Sequence, residues 1–289
     1  MREKMIKSSL LLSMFNRFDF LIRVMYSRVP FLRDAIRAIL FNKLYARSGN
    51  YCYAMHCRIV AALKRARIPI KNSVVLEIGP GTSLIMGIGF LLKSARKIIL
   101  VDKYPRWDRT NISEDIEYLK EKVKKDAMRF FESDFRPRAD RFFYAPNSVE
   151  DMKDVPDGSV DIIVSAGVLE HVTDMDTAFR EMNRILKPRG VMYHYISLAD
   201  HYNFDKPFKF LKYSDRVWNT LLTKEGYSFT NRLRSDDYMD FAGRYGFKLL
   251  DVERGTGLNL DSCKLHKKFA EKNREDLETI NLYALFRKT

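Results

Sequence analysis

The sequence predicts an α/β fold, a mostly parallel sheet with helices on both of its faces. Three observations carry that reading. Short runs of β-branched residues alternate with helical periodicities from residue 52 to residue 196. The first run, Val74-Val-Leu-Glu-Ile78, ends in Gly79-Pro-Gly81, a turn tight enough for a ligand to touch the backbone. The second, Lys97-Ile-Ile-Leu-Val-Asp102, ends in a carboxylate 21 positions after Gly81. In doubly wound sheets such a carboxylate grips the ribose hydroxyls of a nucleoside-containing ligand.

Taken in order, the chain opens with a basic leader. Residues 1–72 hold 15 Lys and Arg against 3 Asp and Glu, +12 of the total net charge of +14. Leu11, Met14, Phe18, Leu21, Ile22 and Met25 recur every three or four residues and share one helical face. Pro30 ends that segment, and Leu32, Ile36, Ile39, Leu40 and Leu44 form a second stripe with Arg33, Arg37 and Arg47 elsewhere. The leader does not read as a signal peptide, since its longest uncharged apolar stretch is short and soon meets Arg17. It also lacks the roughly 18 apolar residues of a membrane span.

The pattern then predicts a helix over 52–67, a strand into Gly79, a helix from Thr82 and a strand over 97–102. A charged helix follows over 112–131, then strands over 141–145 and 160–165. Next comes a helix over 174–186 with Phe179, Met182 and Ile185 on its buried side, and a strand over 191–196. Cys52, Cys57 and Cys263 form no zinc-like pairing and no disulfide framework, which points to a reduced, cytoplasmic setting. No metal is expected.

The third glycine decides which nucleoside ligand fits. The dinucleotide fingerprint needs a glycine three residues after the second, and that position is Leu84. Glu77, two residues before the turn, would repel a diphosphate but not a cation. S-adenosylmethionine (SAM) has a ribose, no phosphate and a positive sulfonium-bearing amino-acid tail, so it suits both observations. Leu76-Glu-Ile-Gly-Pro-Gly-Thr82 resembles the first motif of class I SAM-dependent methyltransferases of the type 11 branch. Asp157-Gly-Ser-Val-Asp161-Ile-Ile-Val-Ser165 resembles that family's fourth-strand motif, Val168-Leu-Glu-His-Val172 its following loop, and Ile185-Leu-Lys-Pro-Arg-Gly190 the turn before its fifth strand. Together these motifs cover residues 73–196.

The resemblance implies a Rossmann-like seven-stranded sheet closed by an antiparallel last strand, here drawn from 246–252 and 282–286, plus an N-terminal helical extension. It divides the chain into the extension, 1–72, and a methyltransferase domain, 73–289, with a substrate-covering insertion over about 197–235. It also implies SAM contacts at Gly79 and Gly81 (methionine part), Glu77 (orienting the turn or reaching the ammonium through a water) and Asp102 (both ribose hydroxyls). Ser148 and Val149 fall on the adenine side, and Ser165 at the end of the fourth strand. Many relatives carry Asp where Ser148 stands, with Glu150 and Asp151 just beyond it here.

The insertion region is aromatic, with Tyr193, Tyr195, Tyr202, Phe204, Phe208, Phe210, Tyr213 and Trp218. These rings either line an acceptor pocket or hold the insertion together. Leu198-Ala-Asp-His-Tyr202, Phe210-Leu-Lys-Tyr-Ser214 and Asn231-Arg-Leu-Arg234 loosely resemble methyltransferases of bacterial polysaccharide and natural-product gene clusters. A small-molecule, glycan or lipid-linked acceptor, methylated at oxygen, is expected. An oxygen nucleophile benefits from a base, and His171 and His201 are the candidates.

Nucleic acid is disfavoured. Ser165-Ala-Gly-Val168 is not the Asn/Asp-Pro-Pro-aromatic tetrad of base-amino methylation, and no cysteine nucleophile lies between Cys57 and Cys263. Three alternatives stay open: an RNA methyltransferase, an inactive SAM-fold scaffold at a membrane surface, and a leader that packs as a lid or touches an anionic membrane.

Overall fold

β1 (Val74–Ile78) is buried along all five residues, as a strand covered on both faces must be. Its first N–H donates to Asp161 Oδ2 at 2.8 Å, and Lys187 pairs with the other oxygen of that carboxylate at 2.7 Å. This computed structural model describes residues 49–103, 109–201, 206–222, 229–257 and 260–289. The two amphipathic stretches of the leader, and Tyr202 and Phe204 of the insertion, lie outside the described residues.

Six further strands join β1: β2 (Lys97–Val101), β3 (Phe142–Ala145), β4 (Val160–Ala166), β5 (Leu186–Ser197), β6 (Phe247–Thr256) and β7 (Thr279–Lys288). Their order is β3-β2-β1-β4-β5-β7-β6. The sheet is mostly parallel with antiparallel last strands, as expected. The pairs of β1 with β2 and β4 are parallel, so Ile78 lies between Val101 and Ser165. The chain order reverses between β1 and β4. In open α/β sheets that switch point is where ligands bind, beyond the carboxyl ends of the strands.

Four helices pack in this part of the chain: α1 (Gly49–Arg65), α2 (Ile85–Leu92), α3 (Arg109–Val123) and α4 (Met175–Ile185). All eight residues of α2 are buried. The His56 ring of α1 sits against α2 so closely that a Cβ on Gly89 would lie 2.7 Å from it. Burial drives the pKa of His56 down to about 4, so the ring is neutral and acts as core. In α4, Asp174 caps the start by accepting from Thr177 N at 3.0 Å, and Phe179, Met182 and Ile185 are buried as the periodicity predicts. A fifth helix, α5 (Ser235–Arg244), follows later in the chain, and its Phe241 stacks on Phe179 at 5.8 Å.

Two elements differ most from expectation. The charged helix stops at Val123 rather than running to 131, because Lys124 turns to φ +55° and the Asp126 side chain accepts from Met128 N at 2.8 Å. That local bond offers the backbone an alternative to helix. β5 begins at Leu186 rather than 191, taking the Lys187–Gly190 turn in as an irregularity with Arg189 at φ +62°.

The chain divides into two compact units. One contains residues 47–196, 237–253 and 282–289; the other, among its described residues, contains parts of 197–236 and 254–281. The second unit has its own core of Phe208, Phe210, Leu211, Trp218, Leu260, Phe269 and Leu277. Two buried arginines tie it together. Arg232 donates to Tyr213 O at 2.6 Å, pairs with Asp215 and lies over the Trp218 ring. Arg234 donates to the carbonyls of Leu198, Leu277 and Thr279. The Asn231-Arg-Leu-Arg234 segment therefore serves packing, and so do Phe208, Phe210 and Trp218. Among the described residues, no helix is long and apolar enough to cross a membrane.

Candidate active site

The turn after β1 is built by two glycines in left-handed conformations, Gly79 at φ +66° and Gly81 at φ +70°. Gly79 N–H donates to Val101 O at 2.8 Å, tying the turn to the end of β2. A Cβ on Gly79 would meet Val168 Cγ2 at 2.6 Å, whereas one on Gly81 would meet nothing within 4 Å. Position 79 thus needs glycine for both conformation and space, and position 81 for conformation alone.

Glu77 points into the body of the protein. It is 1% exposed, and its Oε2 lies 3.4 Å from where a Cβ on Gly87 of α2 would sit. Gly87 makes room for this carboxylate beneath the helix that the turn feeds. A second acid reaches the same region from α3. Asp115 Oδ2 accepts from Leu84 N at 2.6 Å and Oδ1 from the Ser83 hydroxyl at 3.0 Å. Burial raises the pKa of Asp115 to about 6, against the lowering effect of those two hydrogen bonds.

Asp102 lies half-buried just past the end of β2. Its N–H donates to Ala145 O at 3.4 Å, and its own carbonyl accepts from the Tyr144 hydroxyl at 2.8 Å. Burial and the nearby Asp102 carboxylate raise the Tyr144 pKa. Ala145 O also accepts from Asn147 N at 2.8 Å, which sets the loop 147–152 beside Asp102. Within that loop Val149 and Met152 are buried, and Ser148 O accepts from Asp151 N at 3.1 Å. Glu150 is engaged by the N–H and hydroxyl of Thr173 at 3.2 and 3.1 Å, and Asp151 pairs with Lys153 at 3.6 Å. The Asn147 side chain is almost fully buried, and its Oδ1 has no hydrogen-bond partner among the described residues.

Residues 76–194 match the family described as a methyltransferase domain. The matched stretch is a methyltransferase domain, whose cofactor is SAM. No curated protein matches the sequence. Similar solved structures include a SAM-dependent methyltransferase from Mesorhizobium loti, 13% identical with a TM-score of 0.45, over 79% of this chain and 96% of that one. Another is the CurJ carbon methyltransferase, 14% identical with a TM-score of 0.49, over 98% of this chain and 70% of that one. A third, from Methanosarcina mazei, is 15% identical with a TM-score of 0.40, over 75% and 93%.

The cradle fits the cofactor that this methyltransferase domain uses. A backbone with positive φ at both glycines can approach a ligand closely, and an acid stands at the end of the adjacent strand. The topology brings Gly79, Gly81, Asp102, Ser148, Val149 and Ser165 to the carboxyl end of the sheet. Ser165 is fully buried, with its hydroxyl 2.7 Å from His194 Nδ1, so only its backbone is left to meet a ligand. Burial lowers the pKa of His194 to about 3 and keeps that ring neutral.

His171 closes a short 3-10 turn, Leu169–His171, just past β4, and its N–H donates to Val168 O at 2.9 Å. His201 belongs to the other unit, where its Nε2 lies 3.1 Å from Ser197 Oγ. The motifs did not point to Asp115, Tyr144 or the Ser165–His194 pair. Asp115 was legible only as one polar residue of a charged helix. The partners of all three lie on other elements or in the backbone.

Proposed function

We propose that the protein transfers the methyl group of SAM to an oxygen of a small-molecule, glycan or lipid-linked acceptor. The observation that carries the reading is the pair of positive-φ glycines after β1 beside Asp102 at the end of β2. When bound, SAM supplies a methyl group already activated by its sulfonium for in-line displacement. The protein's part is alignment, which contributes several kcal/mol when reacting groups are held in line.

In this reading the backbone at Gly79 and Gly81 receives the methionine part. The Asp102 carboxylate accepts both ribose hydroxyls, and Val149 covers the adenine. Ser148 and the Asn147 amide are the polar groups left for the adenine edge once Glu150 and Asp151 are engaged by their neighbours. Glu77 orients the turn from beneath α2. His171 and His201 are the candidates for the base that takes the acceptor's proton. The setting is cytoplasmic, with the basic leader available to an anionic membrane surface.

The test is transfer of labelled methyl from SAM into fractions of host extract. Wild type labels a fraction of small molecules, glycans or lipids. His171→Ala and His201→Ala both bind SAM, and one of them loses turnover by about tenfold or more. Label confined to RNA or protein would refute the acceptor class. Two fully active histidine variants would refute the base.

A further inference from the structure

The carboxylate that fixes the cofactor turn comes from a helix to which the turn does not belong. Asp115 lies on the buried face of α3 with Ile112, Ile116 and Leu119 and is 7% exposed. Its two oxygens take the Leu84 N–H and the Ser83 hydroxyl, and Ser83 Oγ in turn accepts from Ile85 N at 3.3 Å. Residues 83–85 follow Gly81 closely and open α2, where Leu84 supplies no side-chain cap of its own. The first N–H groups of a helix need an acceptor, and here it arrives from 31 residues away.

The choice of acceptor has an electrostatic consequence. In dinucleotide folds the uncapped start of this helix holds the pyrophosphate, since its N–H groups and dipole favour an anion. Asp115 takes the Leu84 N–H directly and backs the Ile85 N–H through the Ser83 hydroxyl, placing a negative charge there, and Glu77 adds a second carboxylate beside Gly87. No residue of Ile85–Leu92 carries a charge to offset them. The surroundings of the turn therefore favour a cation over a phosphate.

We propose that Asp115 is a positioning residue of the cofactor turn, holding Ser83 and Leu84 in place and biasing the site toward the sulfonium cation. The proposal rests on the SAM reading given above. It separates two contributions that different substitutions can remove. Asp115→Asn keeps an acceptor for Leu84 and a partner for Ser83 but loses the charge, whereas Asp115→Ala loses both.

Calorimetric titration of the full chain with SAM and with S-adenosylhomocysteine, the neutral-sulfur thioether left after transfer, tests it. Asp115→Ala weakens both ligands by about tenfold or more. Asp115→Asn weakens SAM by about threefold or more while S-adenosylhomocysteine stays within about 1.5-fold of wild type. A fold-only role would move the two ligands together. SAM affinity equal to wild type in Asp115→Ala overturns the proposal, as does an equal change, or none, for both ligands in Asp115→Asn. If Asp115→Ala does not fold, the Asn variant decides. Failure of wild type to bind SAM overturns the reading beneath the proposal, and loss of binding in Asp102→Ala alone leaves that reading standing while refuting Asp115.

Discussion

Gly79 carries two constraints on one residue. Its φ of +66° costs an L side chain about 1–2 kcal/mol, and Val168 stands 2.6 Å from where a Cβ would be. Val168 is β-branched and stiff at χ1, so it cannot swing away cheaply. Gly79→Ala therefore lowers thermal stability and weakens SAM binding by about tenfold or more, since both penalties act on the turn proposed to receive SAM. Gly81→Ala meets only the first penalty and costs less on both measures. Calorimetry with SAM and thermal melts compare the two, and equal effects would show that the Val168 contact is unimportant. The places of Gly79 and Asp102 were legible because they follow from local pattern, a strand ending in a glycine turn and a strand ending in an acid. Ser165 was legible only by position. Its hydroxyl is taken by His194, a partner 29 residues away that no local pattern reveals.

At the scale of elements, Asp115 joins α3 to the start of α2 and makes stability depend on pH. An unfolded carboxyl titrates near 4, whereas burial places the folded one at about 6. Between those values the folded state holds a proton that the unfolded state has released. Stability from this group therefore falls as pH rises from about 4 to 6 and is flat above. The cost above pH 6 is on the order of 2–3 kcal/mol. Asp115→Asn consequently melts no lower than wild type at pH 7.5 and removes part of the loss on raising the pH, even as it weakens SAM binding. A lower melting temperature for Asp115→Asn at pH 7.5 would contradict this. The elements themselves were largely legible. Helix α4 matched its expected span because its cap and apolar spacing are local. Helix α3 ended early because the Asp126 side chain competes with the helical backbone. β5 began early because the expected turn is absorbed within the strand.

At the scale of the whole molecule, charge and fold are separated along the sequence. Residues 73–289 are nearly neutral, since residues 1–72 supply +12 of +14. The order β3-β2-β1-β4-β5-β7-β6 puts the glycine turn, Asp102 and the loop 147–152 at one end of the sheet. That arrangement was legible from motif order. The core of the second unit was not, because it joins residues near 210 to residues near 270 that share no sequence motif. The leader's proposed membrane contact predicts that removing residues 1–50 lowers co-sedimentation with anionic vesicles. Equal binding by the two chains would remove its basis.

The central claim, that this turn and Asp102 hold SAM, is tested most directly by calorimetric titration of wild type and Asp102→Ala with SAM. Wild type binds with one site per chain, and Asp102→Ala, stripped of a charge-assisted pair of hydrogen bonds, loses about tenfold or more in affinity. Absence of SAM binding by folded wild type, or equal affinity in Asp102→Ala, would contradict the account.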